Sequence, residues 1–257
     1  MASPTLRIAV LVCDIPIKAV VDNHGDYATQ FANLFQSAST HYNSHTKSAI
    51  QIETVPFDVT NMQYPERPDD FGAYVLTGSK FSAYDQDPWI LRLIDFVKEL
   101  DKRKDVKVVG VCFGHQIIAQ ALGGEVTKNP HGWEVGWTEV QLGENGKQVL
   151  KTSRGAIRIQ SMHQDYVKRI PPSFEVYAST TLCPVQGLIQ PNKYLTIQAH
   201  PEFNGGVVTE IIKARKIIGV WPEETADKYL STVNEPLDGV WFGAKIIGFF
   251  VGNMPDE

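Results

Sequence analysis

Residues 110–116, with the sequence GVCFGHQ, constrain the fold of this chain more than any other segment. They follow the mostly apolar run 106–109 and place Cys112 between Gly110 and Gly114. This is the G-x-S-x-G pattern of a nucleophile elbow, with cysteine in place of serine, in which a sharp turn joins a strand to a helix. Bulky residues would not fit beside such a turn. The segment therefore predicts a strand, a tight turn that carries a thiol, and a helix.

The helix predicted after the turn bears on the reactivity of Cys112. Residues 116–122 have a helical pattern and are followed by two glycines, which commonly end a helix. Cys112 would lie at the N-terminus of this helix, where free amides and the helix dipole favour the thiolate. A buried, inert thiol is the alternative for a free cysteine, and it fits the apolar surroundings of Cys13 and Cys183. Because an inert thiol does not need an elbow, we interpret Cys112 as a nucleophile.

Charge and composition exclude several classes of function. The 257 residues include 24 Lys and Arg against 29 Asp and Glu, and no basic block, so we expect no nucleic-acid or membrane surface. The apolar run 8–12 ends before Asp14 and Pro16 and is too short for a signal peptide or a membrane span. Three cysteines without paired spacing predict free thiols in a reducing, cytoplasmic setting.

Strand-like and helix-like segments alternate along the first half of the chain. Strands are predicted at 6–12, 50–57, 73–77 and 106–109, and helices at 27–35 and 89–100. Such alternation is typical of an α/β fold with a mostly parallel central sheet flanked by helices. Reactive groups in these sheets gather beyond the carboxyl ends of the strands. Cys13, residues 77–79 and Cys112 would all lie at such ends.

The second half of the chain has a different pattern. Strands follow one another at 133–142, 157–162, 174–178, 185–189 and 194–199, which predicts an antiparallel section added to the sheet. Helical patterns return at 206–218, 223–233 and 240–251. Since a chain of this length can bury an ample core in one unit, we expect a single domain over 1–257 with the C-terminal helices 206–251 packed on it. A detached interaction helix at 240–251 is the alternative.

A histidine and a glutamate at the end of the last predicted strand supply partners for a nucleophile. His200, Pro201 and Glu202 follow the strand at 194–199. Residues two apart in an extended segment project to the same side, and proline keeps the preceding residue extended. Glu202 can then accept a hydrogen bond from one imidazole nitrogen of His200 and leave the other nitrogen for Cys112. A His-x-Glu pair alone is more often a surface pair, but the upstream elbow favours a catalytic role.

These two motifs together resemble those of the class I glutamine amidotransferases. GVCFGHQ followed far downstream by His-Pro-Glu is a highly specific combination, and the resemblance covers nearly the whole chain. Residues 76–79 are similar to the family's oxyanion loop, and residues 162–165 to its His-x-Asp segment. Residues 77–85 and 133–136 resemble a free-standing branch that includes plant γ-glutamyl peptidases and fungal amidotransferase-like proteins.

The resemblance implies a hydrolase that cleaves γ-glutamyl amide bonds in glutathione-like peptides, their conjugates or glutamine. Its catalytic residues would be Cys112, His200 and Glu202. Cys112 would form a γ-glutamyl thioester, His200 would act as general acid and base, and Glu202 would orient His200.

The resemblance also implies an oxyanion hole and a binding site for a small γ-glutamyl substrate. The oxyanion donors would be the amide of Phe113 and that of either Gly78 or Ser79, in a loop that departs from the Gly-Gly-Pro-like turn of many synthase-linked members. The substrate-binding residues would be Gln116, Gln164, Asp165 and Tyr166. Asp165 could meet the α-ammonium group of the substrate.

Two other classes of function remain open at this stage. One is a glutaminase subunit that delivers ammonia to a separate synthase partner, and the other is a non-catalytic binding relative. The absence of a synthase domain favours a free-standing hydrolase, and the intact Cys112, His200 and Glu202 argue against a non-catalytic protein. No clustered set of His and Cys ligands is visible, so we expect neither a metal nor a cofactor.

Overall fold

The computed structural model describes residues 4–256, so residues 1–3 and 257 of the predicted domain lie outside the described residues. Within this range the strands are β1 Thr5–Val12, β2 Gln51–Asp58, β3 Ala73–Leu76, β4 Lys107–Val111, β5 Glu125–Lys128, β6 Glu134–Leu142, β7 Ala156–His163, β8 Asp165–Arg169, β9 Glu175–Ser179, β10 Gly187–Gln190 and β11 Tyr194–Ile197. The helices are α1 Lys18–His24, α2 Tyr27–Thr46, α3 Pro88–Asp101, α4 Phe113–Ala121, α5 Glu144–Leu150, α6 Gly205–Ile217, α7 Glu223–Leu230 and α8 Gly239–Val251.

Nine of these strands form a central sheet in the order β2-β1-β3-β4-β11-β10-β9-β6-β7. The first five strands in that order run parallel, and the pairings from β11 to β7 are antiparallel. The predicted α/β fold, a mostly parallel sheet with an added antiparallel section, is therefore confirmed.

Alternation of side chains along the central strands places apolar residues on both faces of the sheet. Along β3, Ala73 and Val75 join the core cluster that includes α2 and α8. Tyr74 and Leu76 point to the opposite face, where they join the cluster that includes α3 and α4. A strand buried on both faces is typical of a sheet covered by helices on each side.

The apolar helix α8 packs closely on α2. It is buried along most of its length, and Gly243 allows the close approach because a Cβ atom at this position would lie 2.9 Å from Ala38 Cβ. The helix α2 is longer than its sequence pattern predicts: Ala38 and Tyr42 continue its buried face, and the helix ends at Thr46. Within residues 4–256, no helix has the length and apolar character needed to cross a membrane.

Among residues 4–256, two α-helices and two β-strands, all short, are not predicted by the sequence patterns. These are α1, α5, and the two strands β5 and β8, which pair only with each other in a small antiparallel sheet. Polar residues dominate in β8, so its periodicity carries no strand signal.

The parallel strands β1, β3, β4 and β11 end at one edge of the sheet. Because parallel strands share a direction, the residues that follow them are brought together there. Asp14 follows β1, Gly78 follows β3, Cys112 follows β4, and His200 follows β11. This edge holds the candidate active site.

Candidate active site

Cys112 occupies the turn between β4 and α4 in an unusual backbone conformation. Its φ is 52° and its ψ is −104°, in a region that residues with a side chain rarely adopt. Its amide donates to the carbonyl oxygen of Ile197 at 2.9 Å, and its own carbonyl accepts from the amide of Gln116 at 3.1 Å. The surrounding backbone thus holds a strained residue at the start of a helix, as in a nucleophile elbow.

The glycines on either side of Cys112 are required by close backbone contacts. A Cβ atom at position 114 would lie 2.4 Å from the carbonyl oxygen of Leu76, and one at position 110 would lie 2.6 Å from the carbonyl oxygen of Gly114. The first turn of α4 therefore rests directly on the end of β3, and any larger residue would push the two apart.

His200 is held in a fixed orientation by its neighbours. Its Nδ1 atom lies 2.8 Å from Glu202 Oε1, and the ring stacks in parallel on Phe203 with 4.0 Å between centroids. The backbone amide of His200 donates to the carbonyl oxygen of Gln160 at 2.8 Å. Since Nδ1 is occupied by Glu202, Nε2 is the nitrogen left for a reacting group.

The charges around His200 favour its protonated form. Burial by itself lowers the pKa of His200, but the Glu202 carboxylate and the Cys112 sulfur raise it, and the net effect is a raised pKa. Glu202 is buried, and its side chain has no exposed surface. An imidazolium beside a cysteine at a helix N-terminus is the environment in which thiolates are found.

Gly78 is the point of contact between the loop after β3 and the two reactive side chains. A Cβ atom at position 78 would lie 2.7 Å from His200 Cε1 and 3.6 Å from Cys112 Cβ. The structure therefore brings together Cys112, His200, Glu202 and the loop at Gly78, which are far apart in the sequence.

The three candidate amides of an oxyanion hole are those of Gly78, Ser79 and Phe113. Within residues 4–256, none of them donates to a protein acceptor. Gly78 and Phe113 are buried, whereas Ser79 is half-buried. Unpaired amides beside a nucleophile can stabilise negative charge on a substrate oxygen, and both Gly78 and Ser79 can take that position.

A cavity of about 210 Å³ opens beside Cys112. Its lining includes Cys112 and three of the sequence-predicted substrate-binding residues, Gln116, Gln164 and Asp165. Tyr166, the fourth predicted substrate-binding residue, is not among the described residues that line the cavity; it lies in β8 opposite Thr127.

The Asp165 carboxylate forms an acidic wall of this cavity. Its Oδ2 atom accepts from Ser82 Oγ at 2.6 Å, and its Oδ1 atom accepts from Tyr84 Oη at 3.2 Å. Gln116 Nε2 donates to the backbone carbonyl of Asp165 at 3.1 Å and to Gln198 Oε1 at 3.0 Å. Predicted residues Gln116 and Asp165 are thus directly connected.

A buried pair behind this wall fixes the backbone of Asp165. His163 Nδ1 lies 3.0 Å from the Asp165 carbonyl oxygen, and His163 Nε2 lies 3.0 Å from Glu134 Oε2. Thr180 and Gln186 donate to the Glu134 carboxylate. His163 therefore lines the cavity and also supports the residue that forms its acidic wall.

The sequence patterns miss two further groups of the cavity wall. Ser82 reaches Asp165 from the loop after β3, a contact between residues 83 positions apart. Arg215, in the last turn of α6, lines the cavity beside Trp133. An arginine in the last turn of a helix is common on electrostatic grounds, so its sequence position gave no functional signal. Within residues 4–256, no group of three or more His, Cys, Asp or Glu side chains is placed to hold a metal ion.

Comparisons with known proteins concern the sequence family and the fold. The family model for class-I glutamine amidotransferases matches residues 19–218. A glutamine amidotransferase-like protein of Schizosaccharomyces pombe is 38% identical over 248 residues, covering 95% of this chain and 98% of the relative. Gamma-glutamyl peptidase 4 of Arabidopsis thaliana is 31% identical over 209 residues, covering 77% of this chain and 81% of the relative.

The fold has counterparts among solved structures. A glutamine amidotransferase from Thermotoga maritima superposes with a TM-score of 0.67 at 19% identity, covering 96% of this chain and 98% of the other. At this identity the likeness concerns the fold. The resemblance inferred from the motifs is confirmed by these comparisons together.

Proposed function

The chain belongs to the class-I glutamine amidotransferase family, and on that premise we propose that it is a cysteine hydrolase that releases glutamate from small γ-glutamyl peptides. One observation carries the proposal: Cys112 faces a cavity beside His200, whose Nδ1 lies 2.8 Å from the buried Glu202 carboxylate. A thiol, a base and an orienting carboxylate in this order form the arrangement used for covalent acyl transfer.

The first half of the reaction forms a thioester. The Cys112 thiolate attacks the γ-carbonyl carbon, and the amides of Phe113 and of Gly78 or Ser79 donate to the oxygen that becomes negative. Loss of one such donor typically costs about 3 kcal/mol of barrier. The tetrahedral intermediate collapses as the C–N bond breaks, and His200 Nε2 gives its proton to the departing amine.

The second half of the reaction frees the enzyme. His200 Nε2, now neutral, takes a proton from water, and the resulting hydroxide attacks the thioester carbon. Collapse of this intermediate breaks the C–S bond and releases glutamate, leaving Cys112 and a protonated His200 as before. Glu202 holds His200 in the same tautomer through both halves.

The γ-glutamyl part of the substrate would bind on the acidic side of the cavity. Asp165, which already accepts from Ser82 and Tyr84, can accept a charge-assisted hydrogen bond from the α-ammonium group. Gln116 and Gln164 line the same side. This orientation directs the γ-carbonyl carbon towards Cys112.

The test is release of free glutamate from glutamine, glutathione and a glutathione S-conjugate by the purified protein, with Cys112→Ala alongside. We expect Cys112-dependent release from the peptides that far exceeds release from glutamine. Full turnover by Cys112→Ala would contradict the proposed mechanism. No release from any substrate would favour the second candidate, a glutaminase subunit that acts only with a synthase partner.

A further inference from the structure

A positively charged group, the Arg215 guanidinium, lies on the cavity wall and is not used by the mechanism above. It stacks over the Trp133 ring at 4.6 Å and lies 5.7 Å from the centre of the Trp221 ring. The two indoles meet edge to face, with 5.4 Å between their centroids. Stacking on two aromatic rings holds a guanidinium in one orientation.

Among residues 4–256, the Arg215 guanidinium has no ion-pair partner and donates no hydrogen bond to protein. Arg215 is half-buried, and burial lowers its pKa while Tyr27 and Cys112 oppose the shift. An incompletely solvated cation without a counter-charge is costly unless an anion binds to it.

The other cations of the cavity differ from Arg215. Lys80 is paired with Asp14 at 2.9 Å and is therefore already neutralised. Lys128 is exposed, so its charge is well solvated and screened. Arg215 combines partial burial, fixed orientation and, among the described residues, lack of an ion-pair partner, so it is the strongest candidate for binding an anion among the cations that line the cavity.

One apolar cluster connects the surroundings of Arg215 with those of His200. The Tyr27 ring stacks on Phe203, and Phe203 stacks on His200. Trp221, which lies against the Arg215 guanidinium, belongs to the same apolar cluster as Tyr27 and Phe203. In the proposed reaction His200 protonates the departing amine and Asp165 binds the γ-glutamyl part, so Arg215 would lie on the leaving-group side.

We propose that Arg215 binds a carboxylate on the leaving portion of the substrate, so that the protein prefers γ-glutamyl peptides with a free C-terminal carboxylate over glutamine and over neutral γ-glutamyl amides. The orientation of the substrate in the cavity rests on the proposed function. The anion subsite rests only on the position of Arg215 in the cavity wall. A planar guanidinium can hold a carboxylate through two parallel hydrogen bonds. Glutamine leaves as ammonia and cannot make this contact.

The test measures binding and so does not depend on turnover. Calorimetry in the Cys112→Ala protein compares glutathione with its C-terminal glycinamide, which lacks only the negative charge. We expect glutathione to bind roughly tenfold to a hundredfold more tightly, as a hydrogen-bonded charge pair predicts. In Cys112→Ala with Arg215→Met, the two ligands should bind equally.

Lys213→Met is the matched control, because Lys213 is an exposed cation on the same helix as Arg215. It should leave the preference for glutathione unchanged. Arg215→Met retains an unbranched stem against Trp133, and thermal unfolding checks that the variant is folded. The comparison of the two ligands in Cys112→Ala alone requires no change at Arg215, so equal binding there overturns the subsite even if the Arg215→Met variant does not fold.

The outcomes separate this inference from the proposed function. Equal binding of the two ligands with Arg215 intact, or binding of neither, would overturn the subsite even if Cys112-dependent glutamate release is observed. A preference for glutathione that Arg215→Met abolishes would establish the subsite even if no glutamate is released, in which case the proposed function fails and the anion site stands.

Discussion

At the scale of single residues, the Glu202 carboxylate stabilises the protonated form of His200. It is a principal cause of the raised His200 pKa and lies 2.8 Å from Nδ1. Replacing it by an uncharged amide of the same shape, Glu202→Gln, removes a charge that stabilises the imidazolium. The His200 pKa should fall, so the reactive ion pair with Cys112 is lost at a lower pH.

We therefore expect Glu202→Gln to reduce kcat/KM on the order of a hundredfold and to move the basic limb of its pH profile to lower pH. The measurement is kcat/KM for a γ-glutamyl peptide across the pH range. Glu224→Gln, at an exposed position in α7, is the control and should change neither quantity. A basic limb that does not move would show that Glu202 does not tune His200.

The residues predicted from the sequence are those whose motifs are local. Cys112 is marked by its flanking glycines, and His200 and Glu202 are marked by their spacing of two in an extended segment. Ser82 and Arg215 have no such local motif. Ser82 is identified by its contact with Asp165, and Arg215 by its place in the cavity wall, and both depend on the folded chain.

At the scale of elements, the fit of α4 against β3 determines where Cys112 lies. A Cβ atom at position 114 would lie 2.4 Å from the backbone oxygen of Leu76, which cannot move aside as a flexible side chain would. Gly114→Ala should therefore reduce the free energy of unfolding by roughly 1–3 kcal/mol, as overpacking of a core does. It should also reduce activity, because α4 carries Cys112 at its N-terminus.

Urea unfolding measures the first effect, with Gly155→Ala as a matched control. A Cβ atom at position 155 would meet no atom within 4 Å, so this change should alter stability by no more than about 0.5 kcal/mol. Equal stability of the two variants would mean that the contact between α4 and β3 is not as rigid as described.

Elements were predictable where a repeating apolar pattern defines them. The strands β1, β3 and β4 and the helices α3 and α8 are such cases, and their bounds agree with the sequence patterns within one or two residues. The short strands β5 and β8 were not predictable, because each is stabilised by pairing with the other rather than by an apolar periodicity of its own.

At the scale of the whole molecule, a buried histidine links stability to pH. His115 in α4 is fully buried, and its Nδ1 lies 2.7 Å from Thr196 Oγ1. Burial, together with the charge of His163, lowers the pKa of His115 to about 3. Below the ordinary histidine pKa of about 6.5, the unfolded chain binds a proton at this residue that the folded chain does not bind.

Uptake of this proton by the unfolded chain lowers the stability of the folded chain at acid pH. The folded pKa is lower than the unfolded one, so this contribution to stability is complete above about pH 6.5 and is lost as the pH falls towards the folded value. The slope approaches 1.4 kcal/mol per pH unit for one proton. His115→Gln lacks the titrating group, so its unfolding free energy should fall less steeply than that of the unmodified protein between pH 7 and pH 5.

Urea unfolding at several pH values in this range measures the two slopes, and His131→Gln is the control. His131 is exposed in the folded chain, so its imidazole is solvated in both states and its removal should leave the slope unchanged. Parallel stability curves for His115→Gln and the unmodified protein would show that His115 takes up its proton while the chain is still folded. Because α4 carries both His115 and Cys112, such protonation would occur within the helix that positions the nucleophile.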